Sequence, residues 1–186
     1  MPTPSPRLRT SIIAVALAAS LLVLPACSKK SSTSTSAAGA SPTSSADQIK
    51  FAKTKFVTNA GLAAGAAYQW LYKPFKAGTF RSGASGRTAA LVKGALAAAF
   101  TYNRLKAALN DAKGDPTLSK ATDALQSSVD SIKSLPSKIR GGTATDADFN
   151  QAQTVVAGVK QAGAQNGLNI TDQVPSASQL TQMVTS

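Results

Sequence analysis

The chain contains no histidine and no glutamate, and all eight of its acidic residues are aspartates. Histidine is the usual general base near neutral pH and the usual ligand of transition metals, so its absence argues against zinc enzymes and triad hydrolases. The phosphate-binding glycine motifs G-x-G-x-x-G and G-x-x-x-x-G-K are also missing, as are the serine motifs S-x-x-K and G-x-S-x-G. Only aspartate, lysine and tyrosine remain for proton transfer. We therefore expect no catalytic residue, no cofactor and no metal site.

Cysteine is nearly absent, since Cys27 is the only one among 186 residues. The chain cannot form an internal disulfide, even though the segment before Cys27 predicts export from the cytoplasm, where disulfides are common. We expect the folded part to be stabilised by packing alone.

The segment before Cys27 has the organisation of a secretory signal. Arg7 and Arg9 precede an apolar run over residues 12–23 that contains a single polar residue. This run is shorter than the roughly 20 residues that a membrane-spanning helix needs. It leads into Leu24-Pro25-Ala26-Cys27, which resembles the lipobox of bacterial lipoproteins. The resemblance implies that residues 1–26 are removed, that a lipid is attached to Cys27, and that the protein is anchored to the outer face of the bacterial cell membrane.

Residues 28–46 are predicted to form a disordered tether between the lipidated Cys27 and the folded domain. Eleven of these 19 residues are serine or threonine, and none has a large apolar side chain. A flexible chain of this length spans about 25 Å on average, so the domain over residues 47–186 is expected to stay near the membrane.

Positive charge is concentrated in the half of the chain that follows Cys27. The formal net charge of the sequence is +12. Between Cys27 and Lys106, twelve basic residues accompany one acidic residue, Asp47, whereas six basic and seven acidic residues follow from Ala107 onward. Such a surplus favours an anionic partner, either anionic lipid or a cell-wall polymer. Nucleic acid is not expected as a partner, because the chain is predicted to be exported.

Apolar residues recur at intervals of three and four along four segments, a spacing that predicts four amphipathic helices. The predicted helices run from a cap at Asp47 to about Tyr72 ahead of Pro74, from about Thr88 to Lys113, from Asp115-Pro116 to Pro136, and from a capping box of Thr145 and Asp148 to Asn166-Gly167. A short helix follows Pro175. The sequence thus predicts an all-α fold, an up-and-down four-helix bundle with a short C-terminal helix. The expected core or its ends contain Trp70, Phe56, Phe100, Leu105, Leu125 and Phe149.

Small residues form one face on each of the first two predicted helices. Gly61 and Gly65 lie on the first, and Gly94 lies between Ala90 and Ala98 on the second. Small residues let two helices approach closely, so we expect these faces to match each other. A membrane-spanning hairpin is the less favoured alternative, because neither segment is a continuous apolar run of the length needed.

The loop between these two helices, Tyr72 to Arg87, alternates aromatic and basic residues and is rich in glycine. One interpretation is a contact with an anionic surface, made by Lys73, Lys76, Arg81 and Arg87 with Phe75 and Phe80 dipping into it. The other is an elbow between helices, in which the two phenylalanines close the end of the core while the charges stay solvated. The sequence leaves both open.

Two strings resemble uncharacterised secreted proteins of high-GC Gram-positive bacteria. They are Phe56-Val57-Thr58-Asn59-Ala60-Gly61 and Tyr72-Lys73-Pro74-Phe75-Lys76-Ala77-Gly78. The resemblance implies an exported helical protein and carries no specific activity.

Three classes of function remain. The first is a non-enzymatic envelope lipoprotein whose basic half binds anionic lipid or wall polymer. The second is a small-molecule binding module with a pocket between the first two helices, beneath Tyr68, Trp70 and Tyr102. An enzyme acting through aspartate or lysine is the third and least favoured. Asp146 and Asp148 do not suggest a metal site, since acidic residues at a helix start are explained by the helix dipole.

Overall fold

The computed structural model describes residues 44–182, and every regular element within that range is helical. The elements are α1 (Ser45–Ala66), a π-helix (Ala67–Tyr72), α2 (Lys73–Lys76), α3 (Arg87–Ala112), a 3-10 turn (Ser119–Ala121), α4 (Thr122–Ser131), α5 (Leu135–Arg140), α6 (Asp146–Gln165) and α7 (Ala177–Gln182). The predicted all-α class is confirmed. The predicted signal, Cys27 and most of the predicted tether lie outside the described residues.

Helix α1 begins three residues earlier than predicted. Ser44 is its cap, with an extended backbone at φ −122° and ψ 155°, and its hydroxyl accepts the N–H of Asp47 at 3.1 Å. The Ser44 hydroxyl in turn donates to the Asp47 carboxylate at 2.7 Å. The prediction of Asp47 as the cap is therefore wrong. Asp47 lies in the first turn, where its negative charge interacts favourably with the positive end of the helix dipole.

The first helix does not stop before Pro74, as the sequence predicted, but continues through the π-helix into α2. In the π-helix each hydrogen bond reaches back five residues, and the N–H of Lys73 accordingly donates to the carbonyl of Tyr68. Pro74 then falls in the first turn of α2, where a missing N–H is tolerated. The wider π turn thus accommodates Pro74, which would disrupt an uninterrupted α-helix at this position.

Helices α1 and α3 run antiparallel and form the largest helix contact in the described region. Asn59 of α1 donates to Asp111 at 2.7 Å and accepts from Arg104 at 2.9 Å, both on α3. Helix α3 begins and ends within one residue of the prediction. Phe56, Phe100, Leu105 and Phe149 of the predicted core are buried, and Trp70 and Leu125 are half-buried against it.

The third predicted helix is divided into two. The Asp115 carboxylate accepts the N–H groups of Thr117 at 2.8 Å and Leu118 at 2.9 Å. The predicted helix start at Asp115-Pro116 is nevertheless wrong, because residues 116–118 form a turn and α4 begins only at Thr122, after the 3-10 turn. The helix then breaks after Ser131, and Pro136 lies in the first turn of α5 rather than ending a helix. A proline fits that turn because the N–H groups there have no partner inside the helix. The side chain of α5's Ile139 packs beside Gly94 near the beginning of α3.

Helix α6 opens with the predicted capping box. The N–H of Thr145 donates to the carboxylate of Asp148 at 2.9 Å, and the N–H of Asp148 donates to the Thr145 hydroxyl at 3.4 Å. The helix ends at Asn166, followed by Gly167 with φ +71°, also as predicted. The short helix after Pro175 is confirmed as α7.

The predicted match between the small faces of the first two helices is wrong. The groove at Gly61 and Gly65 is covered instead by the extended segment 168–176, which we call the C-terminal strap. The N–H of Gln173 donates to the carbonyl of Gly61 at 2.9 Å, and a Cβ placed on Gly65 would overlap with the backbone of Gln173. Gly94 meets the ring of Phe80, which would lie 3.0 Å from a Cβ there. The missing side chains at Gly61 and Gly65 leave room for the backbone of the strap, and the one at Gly94 leaves room for the Phe80 ring and the Ile139 side chain of α5.

Candidate functional site

The predicted loop from Tyr72 to Arg87 is helical at both ends, since it includes the end of the π-helix, all of α2 and the first residue of α3. Its two phenylalanines are fixed to α6. The ring of Phe149 stacks on Phe75 with centroids 4.5 Å apart and on Phe80 with centroids 5.3 Å apart, at interplanar angles of 19° and 7°. Each such pair stabilises by about 0.5–1.5 kcal/mol beyond the burial of its area. Phe75 and Phe80 are half-buried against the core, so they cannot enter a membrane interface while these stacks hold. This is the arrangement expected of the elbow.

Arg87 is also held by the fold. Its Nε donates to the carbonyl of Phe80 at 3.0 Å, and its guanidinium lies against the backbone at Gly142. The side chain thereby ties the start of α3 to the loop on one side and to the turn before α6 on the other. Of the four predicted contact cations, Arg87 is the one with a structural role.

The remaining three cations, Lys73, Lys76 and Arg81, are exposed. The ammonium of Lys73 donates to the side-chain carbonyl of Gln69 at 3.0 Å, and the ammonium of Lys76 lies 5.7 Å from the ring centroid of Tyr72. Within residues 44–182 none of the three has a carboxylate within 4.0 Å. No acidic residue occurs in the sequence between Asp47 and Asp111, so the chain provides no local partner.

Lys93 joins these cations at the same end of the molecule, a placement that sequence reasoning missed. It lies on α3, is exposed, and has no hydrogen bond or carboxylate partner among the described residues. Lys93 follows Ala89 by four residues, so the two side chains lie on the same face of α3. This spacing is the signal in the sequence that places Lys93 beside Ala89. We call Lys73, Lys76, Arg81 and Lys93 the basic patch.

An open cleft of about 450 Å³ lies within this end, between the π-helix and α2 on one side and the start of α3 on the other. Its lining combines apolar and polar side chains: Trp70, Pro74, Ala77, Ala89 and Ala90, with Gln69, Lys73, Thr79, Ser85 and Lys93. We call it the Trp70 cleft. π-Helical turns are frequent at functional sites, and here one supplies Trp70.

The predicted pocket beneath Tyr68, Trp70 and Tyr102 is correct only for Trp70. Tyr102 turns towards α4, where its hydroxyl donates to Asp130 at 3.2 Å. Tyr68 lines a smaller hollow of about 190 Å³ against α6, on another side of the π-helix. A π-helix has a different number of residues per turn from an α-helix, so side chains after Ala67 leave the faces that α-helical spacing predicts.

The orientation of Trp70 is set by the C-terminal strap. Its indole Nε1–H donates to the carbonyl of Pro175 at 3.1 Å, and Pro175 is itself buried. A buried indole N–H needs such an acceptor. One wall of the cleft therefore depends on residues more than a hundred positions later in the chain.

Six of the eight aspartates make side-chain contacts within the described region. Asp115 is 1% exposed, and burial alone would raise its pKa, but hydrogen bonds from the Thr117 hydroxyl, from two backbone N–H groups and from Lys53 lower the pKa to about 2. The pKa of Asp148 is lowered by the hydrogen bond from Lys138 at 2.6 Å and by the N–H of Thr145. Residues 44–182 contain no group of three histidine, cysteine or acidic side chains placed to hold a metal ion.

Comparison of the chain with protein-family models, with curated proteins and with solved structures finds no match. None of the helices in the described part is both long enough and apolar enough to cross a membrane. The basic patch and the Trp70 cleft are therefore the features of the described region that bear on function.

Proposed function

We propose that the chain is a non-enzymatic binding module of the bacterial cell envelope, anchored by a lipid on Cys27, whose basic patch binds an anionic cell-wall polymer. The anchor is proposed from the lipobox resemblance of residues 24–27. The observation that carries the binding proposal is the set of four exposed cations that have no carboxylate partner in the described region. Clustered cations of this kind raise the local concentration of polyanions and strengthen their binding.

The rigidity of the loop supports this proposal. Phe75 and Phe80 are stacked on Phe149, and the side chain of Arg87 donates to the backbone of Phe80. These contacts hold the backbone that carries Lys73, Lys76 and Arg81 in one conformation. A preformed arrangement of charges loses less conformational freedom on binding than a flexible one does. The two interpretations of the loop are thus compatible: an elbow built from its aromatic residues and Arg87 can present Lys73, Lys76 and Arg81 to a partner.

The position of the patch favours a polymer over the membrane. The chain enters the domain at Ser45, at the start of α1, and the patch lies beyond the other end of this helix. At 1.5 Å per residue, the 22 residues of α1 separate the two by about 33 Å. Lys50 and Lys55 lie instead in the first half of α1, and Lys113 follows the end of α3, which lies beside that half because Gly114 packs against Ala52. Lys120 lies in the 3-10 turn that follows α3. Along the chain, the attachment point at Cys27 is therefore nearer to the entry end of the domain than to the basic patch.

The proposal is tested on residues 44–186 produced without the predicted signal and lipid, which we call the soluble domain. Two variants that lose equal charge are compared. One replaces Lys73, Lys76, Arg81 and Lys93 by glutamine, and the other replaces Lys50, Lys55, Lys113 and Lys120 by glutamine. Binding to soluble poly(glycerol phosphate) is measured by calorimetry over a range of salt concentrations. We expect the patch variant to lose most of the affinity and its logarithmic salt slope to fall by about 3, taking about 0.7 per released counterion as for single-stranded nucleic acids.

The control variant is expected to retain most of the affinity, and both variants are expected to keep the wild-type melting temperature, because exposed substitutions rarely change stability by more than about 0.5 kcal/mol. Equal losses in the two variants would mean that only net charge matters. Binding to anionic phosphatidylglycerol vesicles without binding to the polymer would instead favour a membrane-contact function.

A further inference from the structure

The Trp70 cleft joins an apolar wall to two cations. Trp70 and Pro74 line it from one side, Ala89 and Ala90 from α3, and Lys73 and Lys93 reach it from opposite sides. Its volume of about 450 Å³ falls in the range of about 300–1,000 Å³ that is usual for small-molecule sites. A cleft with this lining suits a ligand that is apolar in one part and negatively charged in another.

The polar groups of the cleft are available to a ligand. Lys93 and the hydroxyl of Ser85 have no hydrogen-bond partner within residues 44–182. Lys73 has only neutral partners, since its ammonium donates to the side chain of Gln69 and lies 5.2 Å from the ring centroid of Tyr68. Because no carboxylate of the described region pairs with either lysine, an incoming anion displaces no ion pair. Charge-assisted hydrogen bonds from two ammonium groups are about twice as strong as neutral ones.

We propose that the Trp70 cleft binds an organic anion in which a phosphate or carboxylate is attached to an apolar group. The apolar group packs against Trp70, Ala89 and Ala90, and the anionic group lies between Lys73 and Lys93. The inference rests on the proposed function, because the cleft opens within the basic patch, and it gives the chemistry of the ligand that this end of the molecule selects. The same chemistry occurs in a free small molecule and in the head region of an anionic lipid.

Trp70 provides the means to test this, since it is the only tryptophan in the chain. Its fluorescence in the soluble domain is titrated with octyl phosphate, with octyl glucoside, which has the same chain and no charge, and with inorganic phosphate, which has the charge and no chain. We expect a saturable change with octyl phosphate, at an affinity at least about tenfold higher than with either comparator. Comparable affinity for octyl phosphate and octyl glucoside, or for octyl phosphate and inorganic phosphate, would overturn the proposal.

Substitutions separate the cleft from the basic patch as a whole. Lys93→Gln should lower the affinity for octyl phosphate about tenfold and leave that for octyl glucoside nearly unchanged. Ala90→Leu fills the cleft and should lower both, and Ala89→Leu serves the same purpose if the first variant melts at a lower temperature. Lys76→Gln is the matched control, because Lys76 is a patch residue three positions after Lys73 that does not line the cleft.

The outcome for Lys76 distinguishes this inference from the proposed function. Lys76→Gln should weaken polymer binding while leaving octyl phosphate binding unchanged. If Lys76→Gln and Lys93→Gln weaken octyl phosphate binding equally, that binding reflects general charge attraction and not the cleft, and the inference is overturned. Vesicles of phosphatidylglycerol identify the source of the ligand. A change in Trp70 emission that Ala90→Leu abolishes supports lipid, and a response to octyl phosphate alone supports a free anion.

Discussion

Replacing Gly65 by alanine gives a direct test of the C-terminal strap. A Cβ on Gly65 would overlap with the backbone carbonyl of Gln173 and lie 2.7 Å from the backbone nitrogen of Val174. These are main-chain atoms, so no side-chain rotation relieves the overlap and the strap itself must move. Gly65 is helical and does not have a positive φ, so alanine brings no backbone strain.

The magnitude follows from what the strap contributes. If it lifts away, the bonds from Gln173 to Gly61 and from Trp70 to Pro175 are lost at about 1 kcal/mol each, together with about 1.5–3 kcal/mol for the buried side chain of Ile170. Alanine is favoured over glycine inside a helix by about 1 kcal/mol, which offsets part of this loss. We expect Gly65→Ala to lower the free energy of unfolding by about 2–4 kcal/mol.

Urea unfolding of the soluble domain, followed by circular dichroism, measures this change, and Trp70 emission reports the strap separately because the indole loses its acceptor. Gly158→Ala is the matched control. Gly158 also lies in a helix, and a Cβ there would meet only the Leu125 side chain at 3.7 Å, an ordinary contact. We expect this control to be about 0.5–1 kcal/mol more stable than the wild type. If Gly65→Ala is as stable as Gly158→Ala with unchanged Trp70 emission, the strap does not occupy the Gly61 and Gly65 groove.

Three further predictions concern other parts of the chain. The pKa of Asp115 is about 2 in the folded state, against an ordinary value of 3.8. The ionised carboxylate therefore contributes about 2 kcal/mol to the free energy of unfolding, which is present above about pH 4 and is lost as the pH falls towards 2. Asp115→Asn should remove this contribution and flatten the stability profile, measured by urea unfolding across that range; an unchanged profile would contradict the assignment. Arg87→Gln should lower the melting temperature of the soluble domain more than Arg81→Gln does, because only Arg87 bonds to the Phe80 carbonyl, and equal melting temperatures would refute its structural role. Cys27→Ser should yield a chain without lipid. The intact mass of the membrane-extracted wild type should correspond to a lipidated chain that begins at Cys27. A wild-type product that begins elsewhere, or at an unmodified Cys27, would disprove the lipobox prediction.

The helices were predictable where a local signal sufficed. Thr145 and Asp148 specify the start of α6 by a pairing within three residues, and Gly167 with its positive φ marks the end. Helix α3 was bounded correctly because polar and glycine-rich segments flank a long apolar periodicity. The position of Pro74 misled the prediction because a proline is compatible with a helix once the preceding turn is π-helical, and single-residue propensities do not report that turn.

The candidate site was predictable only in part. Lys73, Lys76 and Arg81 were identified from composition, since exposure is the default state of a cation in a glycine-rich loop. The different role of Arg87 depends on Gly142, which lies 55 residues later in the chain, so no local pattern contains it. The contacts of Gly61 and Gly65 could not be predicted for the same reason, because the strap that covers them lies far later in the chain. A small-residue face indicates a close approach, but it does not identify whether a helix, a strap or a ring makes that approach.

The C-terminal strap also has a consequence for the order in which the domain folds. Helices α1 and α3 are consecutive long helices and can pair as soon as both have been synthesised, whereas the indole of Trp70 pairs with Pro175, 105 residues later. Contacts so distant in sequence form slowly, because a long loop must close first. Until then the groove at Gly61 and Gly65 lies open and the Trp70 cleft lacks the bond that orients its indole. We therefore expect the chain to pass, while it folds, through a helical species in which the Trp70 cleft is not yet formed and the C-terminal strap is accessible to proteases.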